Sequence, residues 1–592
     1  MNVKTSLEMS KDISKPEQLI TEHIDIWTSA ILAKSTSGRG SSKKYELYGI
    51  TKLRELILEL AVYGKLIPQD PTDEPAAVLL ERIAVEKSQL VKDKKIKKQK
   101  ALPSLEEAGV EQNTLPQGWT WAFMPQVIAH DDYAIKRGPF GSALKKAYFV
   151  NSGYKVYEQQ HAINDDFSRG EYYIDETKFN ELKAFEVKPY DLIISCSGTV
   201  GKVAIAPPNM ERGVINQALL KIALNNNALI NEYFKILFPA FFMRTDTLSD
   251  LKGTAQKNMV SVDTLRKEPF PYPPLAEQRR IVAKVDELML LCDQLEQQTE
   301  ASIEAHATLV EVLLATLTDS VDADDLAQNW TRIAEHFDSL FTTEQSIDAL
   351  KQTVLQLAVM GKLVPQNPDD EPASVLLEKI AEEKEQLIKD KRIRGNKSPA
   401  KNNEAHLDCE LPLGWKISCF GDITFNRDPE RIPLSVDVRR NRQGSYDYYG
   451  ASGVIDQIDD FLFDKPLLLI GEDGANLVNR STPIAFIARG KYWVNNHAHV
   501  IDGIDETLLL YLSLYINSIS LKPYITGTAQ PKMNQAKMNS ISVMLPPLAE
   551  QQRIVAKVDE LMAICDQLKV KLQQSQETQA QLTDTLVDRA LG

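Results

Sequence analysis

Any chemistry in this chain must come from a few short polar runs. Lys136-Arg137-Gly138-Pro139-Phe140-Gly141-Ser142, followed by Lys145 and Lys146, is a glycine-punctuated basic loop. Such a loop brings cations and backbone amides to phosphates, and an arginine fork matches the guanine edge. Arg439-Arg440-Asn441-Arg442-Gln443-Gly444-Ser445, with Tyr448 and Tyr449 behind it, is expected to play the same part further along. Residues 193–198 and 469–474 read as equivalent strand-to-turn elements. After the first, Thr199 and Lys202 suit a backbone contact. The second continues through Glu472-Asp473-Gly474-Ala475-Asn476, and an acidic turn is more often structural, although a carboxylate can accept from cytosine N4. Val214-Ile215-Asn216-Gln217 and Val494-Asn495-Asn496-His497 also correspond; amides suit adenine edges, and Asn is equally a turn former. Gln256-Lys257, and Gln530 with Lys532, are placed for positioning contacts. For each run the alternative is an ordinary solvated loop or turn.

Enzymatic patterns are weaker. Ser197-Gly198-Thr199-Val200-Gly201-Lys202 resembles the tail of a phosphate loop but lacks the leading Gly and the Ser or Thr after the Lys. Asp175 with Glu181-Leu182-Lys183 is a carboxylate pattern that a charged chain produces by chance. His161, His497 and His499 have no metal-ligand spacing and read as surface or core histidines. Cys196, Cys292, Cys409, Cys419 and Cys565 form no CxxC pair, so neither a zinc knuckle nor a disulfide framework is expected, and a reducing cytosol fits.

The elements that must position these runs are duplicated. Residues 273–295 and 546–568 differ only at Arg279/Gln552, Leu290/Ala563 and Leu291/Ile564. Ile281, Val285, Leu288, Cys292 and Leu295 step by four and three, an a/d seam that wants a partner helix, and the preceding Pro-Pro marks where the helix starts. A second unit, residues 53–93, returns as 350–390 with 27 of 41 positions identical. Each copy reads as a helix ended by Gly64 or Gly361, a Pro-rich turn, and a second helix starting near Pro75 or Pro372. The order is hairpin unit, variable block, long helix, twice over. The C-terminal long helix therefore has the N-terminal hairpin as its expected partner, closing a circularly permuted two-fold arrangement.

The net charge of −14 argues against a simple basic nucleic-acid binder. Residues 116–270 hold 18 Lys and Arg against 17 Asp and Glu, and residues 412–545 hold 13 against 14, so the acidity lies in the helical parts. Two neutral blocks on an acidic scaffold are compatible with DNA, or with a basic protein. No signal-peptide core and no run of about 18 apolar residues is present, so no membrane span is expected. The expected segments are an N-terminal helical region (1–114, of which 20–32 reads as a short helix), block one (115–271), a central helical region (272–410), block two (411–545) and a C-terminal helix (546–592).

The GW entries at Gly118-Trp119 and Gly414-Trp415, the GTAQ exits at 253–256 and 527–530, the PPLAEQ helix and the LAVxGKL unit, all duplicated, resemble the specificity subunit of type I restriction–modification systems. The resemblance covers the chain from about residue 48. It implies an α+β fold in which two α/β target recognition domains are separated by two long antiparallel coiled-coil helical regions. It implies a non-catalytic, cytoplasmic subunit whose two blocks read the halves of a bipartite double-stranded DNA target. Two modification (methyltransferase) subunits would dock on it, with restriction (nuclease–translocase) subunits beyond. S-adenosylmethionine, ATP and magnesium would belong to those partners. A self-contained adenine methyltransferase is disfavoured, because no cofactor loop and no Asn-Pro-Pro-aromatic motif is present. The competing reading is a coiled-coil scaffold that spaces two protein-binding domains without touching DNA.

Overall fold

The computed structural model describes residues 18, 21–33, 45–98, 100–108, 110, 115–140, 143–244, 261–321, 323–393, 411–527 and 530–591. Ser142, Gln256 and Lys257 lie outside them. The chain forms two compact units, residues 1–301 with 576–592, and residues 302–575. The C-terminal residues thus belong with the N-terminal unit, as a circularly permuted arrangement requires.

Each unit is built on the same helical hairpin, Tyr48–Val62 with Ala76–Lys92 in one and Glu344–Val359 with Ala373–Lys389 in the other. The duplicated phrases of the sequence meet at its turn. Gly64 and Gly361 have φ of +67° and +69°, where L side chains are strained. A Cβ there would also stand 2.5 Å from Pro116 or 2.6 Å from Pro412, so the entry phrase packs straight onto the helix end. The Ala76 and Ala373 amides donate to the Gly118 and Gly414 carbonyls, each at 2.9 Å. Gln69 and Gln366 reach the buried long-helix carboxylates Glu277 and Glu550 at 3.4 and 3.3 Å, and Trp415 Nε1 donates to Glu550 at 3.0 Å. Burial pushes both carboxyl groups above the usual Glu value.

The two long helices are Leu275–Asp319 and Leu548–Leu591. All five seam positions of the first are buried. Their partner differs from the one expected. Arg54, on the hairpin that precedes the same block, pairs with Asp293 at 2.6 Å and Glu296 at 2.9 Å. Likewise Ile554, Val558 and Cys565 share a core with Leu350, Val354 and Leu357, flanked by Lys351–Asp566 and Asp348–Lys569 pairs. The C-terminal stretch of each helix crosses over: Tyr48 Oη donates to Asp584 at 2.7 Å, and Lys65 Nζ to the Leu591 carbonyl. Lys362 repeats this on the Thr318 and Ser320 carbonyls at 2.7 and 2.9 Å. A helix of about 45 residues is some 67 Å long, enough to serve one hairpin with its start and the other with its end. By length and composition the first long helix is apolar enough to cross a bilayer, and 17% of its apolar window is buried.

The two blocks share one topology despite unlike middles. In block one an antiparallel sheet runs Val203–Ile205, Leu192–Ser195, Leu219–Ile222, Ile135–Arg137; in block two it runs Ala485–Ala488, Leu467–Gly471, Ala498–Asp502, Phe425–Asn426. A second sheet centres on a parallel pair, Tyr154–Tyr157 with Gly213–Ile215, or Gln443–Gly450 with Lys491–Val494. Entry and exit strands pair and close each block, Thr120–Phe123 with Pro269–Tyr272 and Lys416–Cys419 with Ser542–Leu545. At the other end of the chain, Ile24–Ser29 is helical, as its pattern predicts, and buries Trp27 against Gly49.

Candidate nucleic-acid interface

The shared topology fixes which loops correspond. The Cys196 amide donates to the Ala218 carbonyl, and the Glu472 amide to the His497 carbonyl, each at 2.8 Å. Residues 196–201 and 216–218 of block one therefore match 472–476 and 495–497 of block two, at the same end of the same sheet. Asn216 and Asn495 are turn formers: each side-chain oxygen accepts the amide two residues on, from Ala218 at 3.0 Å and from His497 at 2.8 Å. Their neighbours Gln217 and Asn496 are exposed at matching positions.

In block one, Arg137 spans the loop pair, donating to the Gln217 and Cys196 carbonyls at 3.4 Å each. Thr199 is exposed on the first loop, and Lys202 is exposed where the next strand begins. Because that strand runs antiparallel to Leu192–Ser195, the Gly198–Gly201 turn leads into no helix, and the phosphate-loop likeness goes no further. Lys136 lies on the edge strand beside the rings of Tyr133 and Phe185, while Lys145 and Lys146 are exposed at the turn into the second sheet. Asp175 caps a short helix through the Lys178 amide at 2.7 Å, and Glu181 pairs with the Lys178 side chain, which accounts for that carboxylate pattern.

Block two departs from expectation. Arg439–Arg442 is not the counterpart of Lys136-Arg137; it precedes the parallel pair of the second sheet. Arg439 is bound to Asp456 at 2.9 Å and to the Leu434 carbonyl at 2.8 Å, and Arg442 to Asp459 at 2.9 Å. Tyr448 is fully buried, with its hydroxyl accepting the Leu434 amide, so it is a core residue. Asn476 is spent on Ser481 and Thr482. Arg440 and Ser445 are exposed, as is Gln530 at the block exit. Lys532 joins the loop pair through Glu472 at 3.1 Å.

One polar cluster of this region has no motif in the sequence. His499 is buried with Nδ1 2.7 Å from Asp428 and Nε2 2.9 Å from the Met533 carbonyl. Arg431 joins Glu472 to the Ala498 carbonyl at 2.9 and 2.7 Å. Burial opposes charge on His499, yet Asp428 and Glu472 hold its pKa above the usual 6.5. Burial likewise opposes charge on the two carboxylates, but His499 and Arg431 hold both below the usual range. Asp473 meets His497 at 2.9 Å on the exposed side of the same turn. The only hint in sequence is a Glu-Asp pair directly after the apolar strand Leu467–Gly471.

Similarity to known proteins follows this layout. Residues 138–305 and 412–577 match the family model described as the type I restriction modification DNA specificity domain. The chain belongs to this family. Two Escherichia coli relatives are the type I restriction enzyme EcoAI specificity subunit, 36% identical, and the EcoEI specificity subunit, 37% identical; each alignment covers 97% of this chain and all of the relative. Among solved structures, the HsdS subunit from Thermoanaerobacter tengcongensis is 16% identical, with a TM-score of 0.39 over 81% of this chain and 97% of that one. This protein is therefore a DNA specificity subunit; the first family match takes in block one from residue 138 onward, the second nearly all of block two, and each runs on into the long helix that follows.

Proposed function

We propose that the specificity subunit selects a bipartite duplex target, block one reading one half-site and block two the other. The observation that carries this is the matched loop pair: one scaffold, built twice, presents Thr199 and Gln217 in one copy and Asn496, His497 and Lys532 in the other. Different polar groups on a common frame suit two unlike half-sites. Arg137, Lys136 and Lys202 supply positive charge beside the first pair. The hairpins and long helices set the spacing and dock two modification (methyltransferase) subunits, with restriction (nuclease–translocase) subunits joining them. The chain itself is non-catalytic and works in the cytoplasm; S-adenosylmethionine, ATP and magnesium belong to the partners. Mapping methylated adenines in DNA exposed to the assembled complex tests the reading. Exchange of residues 116–270 for a relative's block should alter one half-site and leave the other. A change in both halves would refute the modular assignment.

A further inference from the structure

A cavity of about 350 Å³ lies in the N-terminal unit, outside both loop pairs. Its walls come from the segment after the hairpin, from the start of block one and from the short helix Val262–Lys267. The cations are Lys87, Lys97, Lys98, Lys100, Arg266 and Lys267; the carboxylates are Asp131, Asp132 and Asp263. All three carboxylates are already engaged: Asp132 with Lys97 at 3.3 Å, Asp263 with Arg266 at 3.9 Å, and Asp131 with Lys188 at 3.2 Å. Lys87 is committed to the Pro125 carbonyl. Lys98, Lys100 and Lys267 remain exposed, with no carboxylate paired to them among the described residues. His130 lines the same cavity, and its Nε2 is buried with no protein hydrogen-bond partner. A concentration of positive charge, with an orphaned polar atom, in a chain of net charge −14 calls for an anionic ligand.

We propose that this cavity binds a phosphodiester of the DNA flanking the half-site of block one. The argument for a nucleic-acid phosphate over an acidic protein is continuity. Tyr133 and Ile135 line the cavity, and Ile135 begins the strand that carries Lys136 and Arg137 to the loop pair. Ile135, buried in the cavity wall, stands two residues and so roughly 7 Å before Arg137 along that strand. The contact joins Lys98 and Lys100, which precede the matched family domain, to Lys267 inside it, and it positions DNA without reading it. The inference rests on the DNA-specificity reading.

The test uses the full-length chain purified with its modification subunits. K98E/K100E/K267E, and the milder K98A/K100A/K267A, are titrated against the target duplex and a scrambled duplex over a salt series. Affinity for both duplexes should fall by the same factor, about ten-fold or more for the charge reversal. The slope of log affinity against log salt should shrink by about 0.9 for each phosphate no longer neutralised, and the methylated sequence should stay the same. Unchanged affinity and slope would overturn the proposal. So would an altered methylated sequence, or a failure of the variants to hold their modification subunits, which would mark an acidic protein surface instead. Loss of sequence preference by the unmutated complex would sink the specificity reading, a result the variants cannot mimic. Addition of inorganic phosphate at millimolar concentration should compete no better than its ionic strength predicts; a larger effect would identify a free-anion site and overturn the assignment to DNA.

Discussion

Arg280 and Asp73 face each other through two parallel bonds, Nη1–Oδ1 at 3.2 Å and Nη2–Oδ2 at 2.6 Å. Arg553 and Asp370 repeat the geometry at 3.3 and 2.6 Å. In both, the guanidinium belongs to a long helix and the largely buried carboxylate to the hairpin turn. The pair therefore fixes the angle at which the helix leaves its block. Arg280→Ala leaves the Asp73 carboxylate without its main partner. A destabilisation of about 1–2 kcal/mol is expected, below the value for a fully buried pair because the arginine is partly exposed. Urea unfolding of Arg280→Ala, Asp73→Asn and the double variant should give a coupling energy of at least about 0.5 kcal/mol. Simple additivity would show that the pair does not hold the helix.

Glu277 and Glu550 give a pH signature. Their folded-state pKa values are raised by burial, so the folded protein binds these protons more tightly than the unfolded chain. Their contribution to stability is then largest in acid and falls as pH rises from the ordinary value of 4.5 through the raised one. Glu277→Gln/Glu550→Gln keeps an acceptor for Gln69 and Gln366 but removes the titration. Relative to the parent, its unfolding free energy should rise over that window and then level off. A difference curve that is flat with pH would contradict the assignment.

The C-terminal turns belong to the N-terminal unit through Tyr48–Asp584 and Lys65–Leu591. Removing residues 576–592 should therefore speed proteolysis or hydrogen exchange in residues 48–65, more than 500 positions away in sequence, and leave residues 344–359 protected. Equal effects on both hairpins would argue against this pairing.

Gln217 and Asn496 occupy matching exposed positions. Gln217→Ala and Asn496→Ala should each relax methylation at one base pair of one half-site, by about 1–3 kcal/mol of discrimination, and leave the other half unchanged. Sequencing of methylated DNA reads this directly. If both variants methylate the parent sequence with parent fidelity, the loop pair is not the reading surface.

Much of this protein was legible from its sequence because it repeats itself. The duplicated phrases located the hairpins, long helices and block edges. The a/d spacing of Ile281, Val285, Leu288, Cys292 and Leu295 named the buried face, since periodicity is a local property. The equivalence of residues 193–198 with 469–474 was also visible in short strand-and-turn patterns, but aligning Val214–Gln217 with Val494–His497 set Asn216 against Asn496, one residue away from the Asn495 that makes the same turn. What spacing could not say was which partner a seam meets. A 45-residue helix can serve two hairpins, and only packing decides that its start stays with its own block while its end crosses over. Nor could it separate working arginines from structural ones. Arg439 and Arg442 look as basic as Arg137, but Asp456 and Asp459, 17 residues further on, neutralise them once the strands pair. The set of Asp428, Arg431, Glu472 and His499 spans 71 residues and has no motif. It exists only because three strands of one sheet bring those groups together and bury them, where an unpaired charge would be too costly to keep.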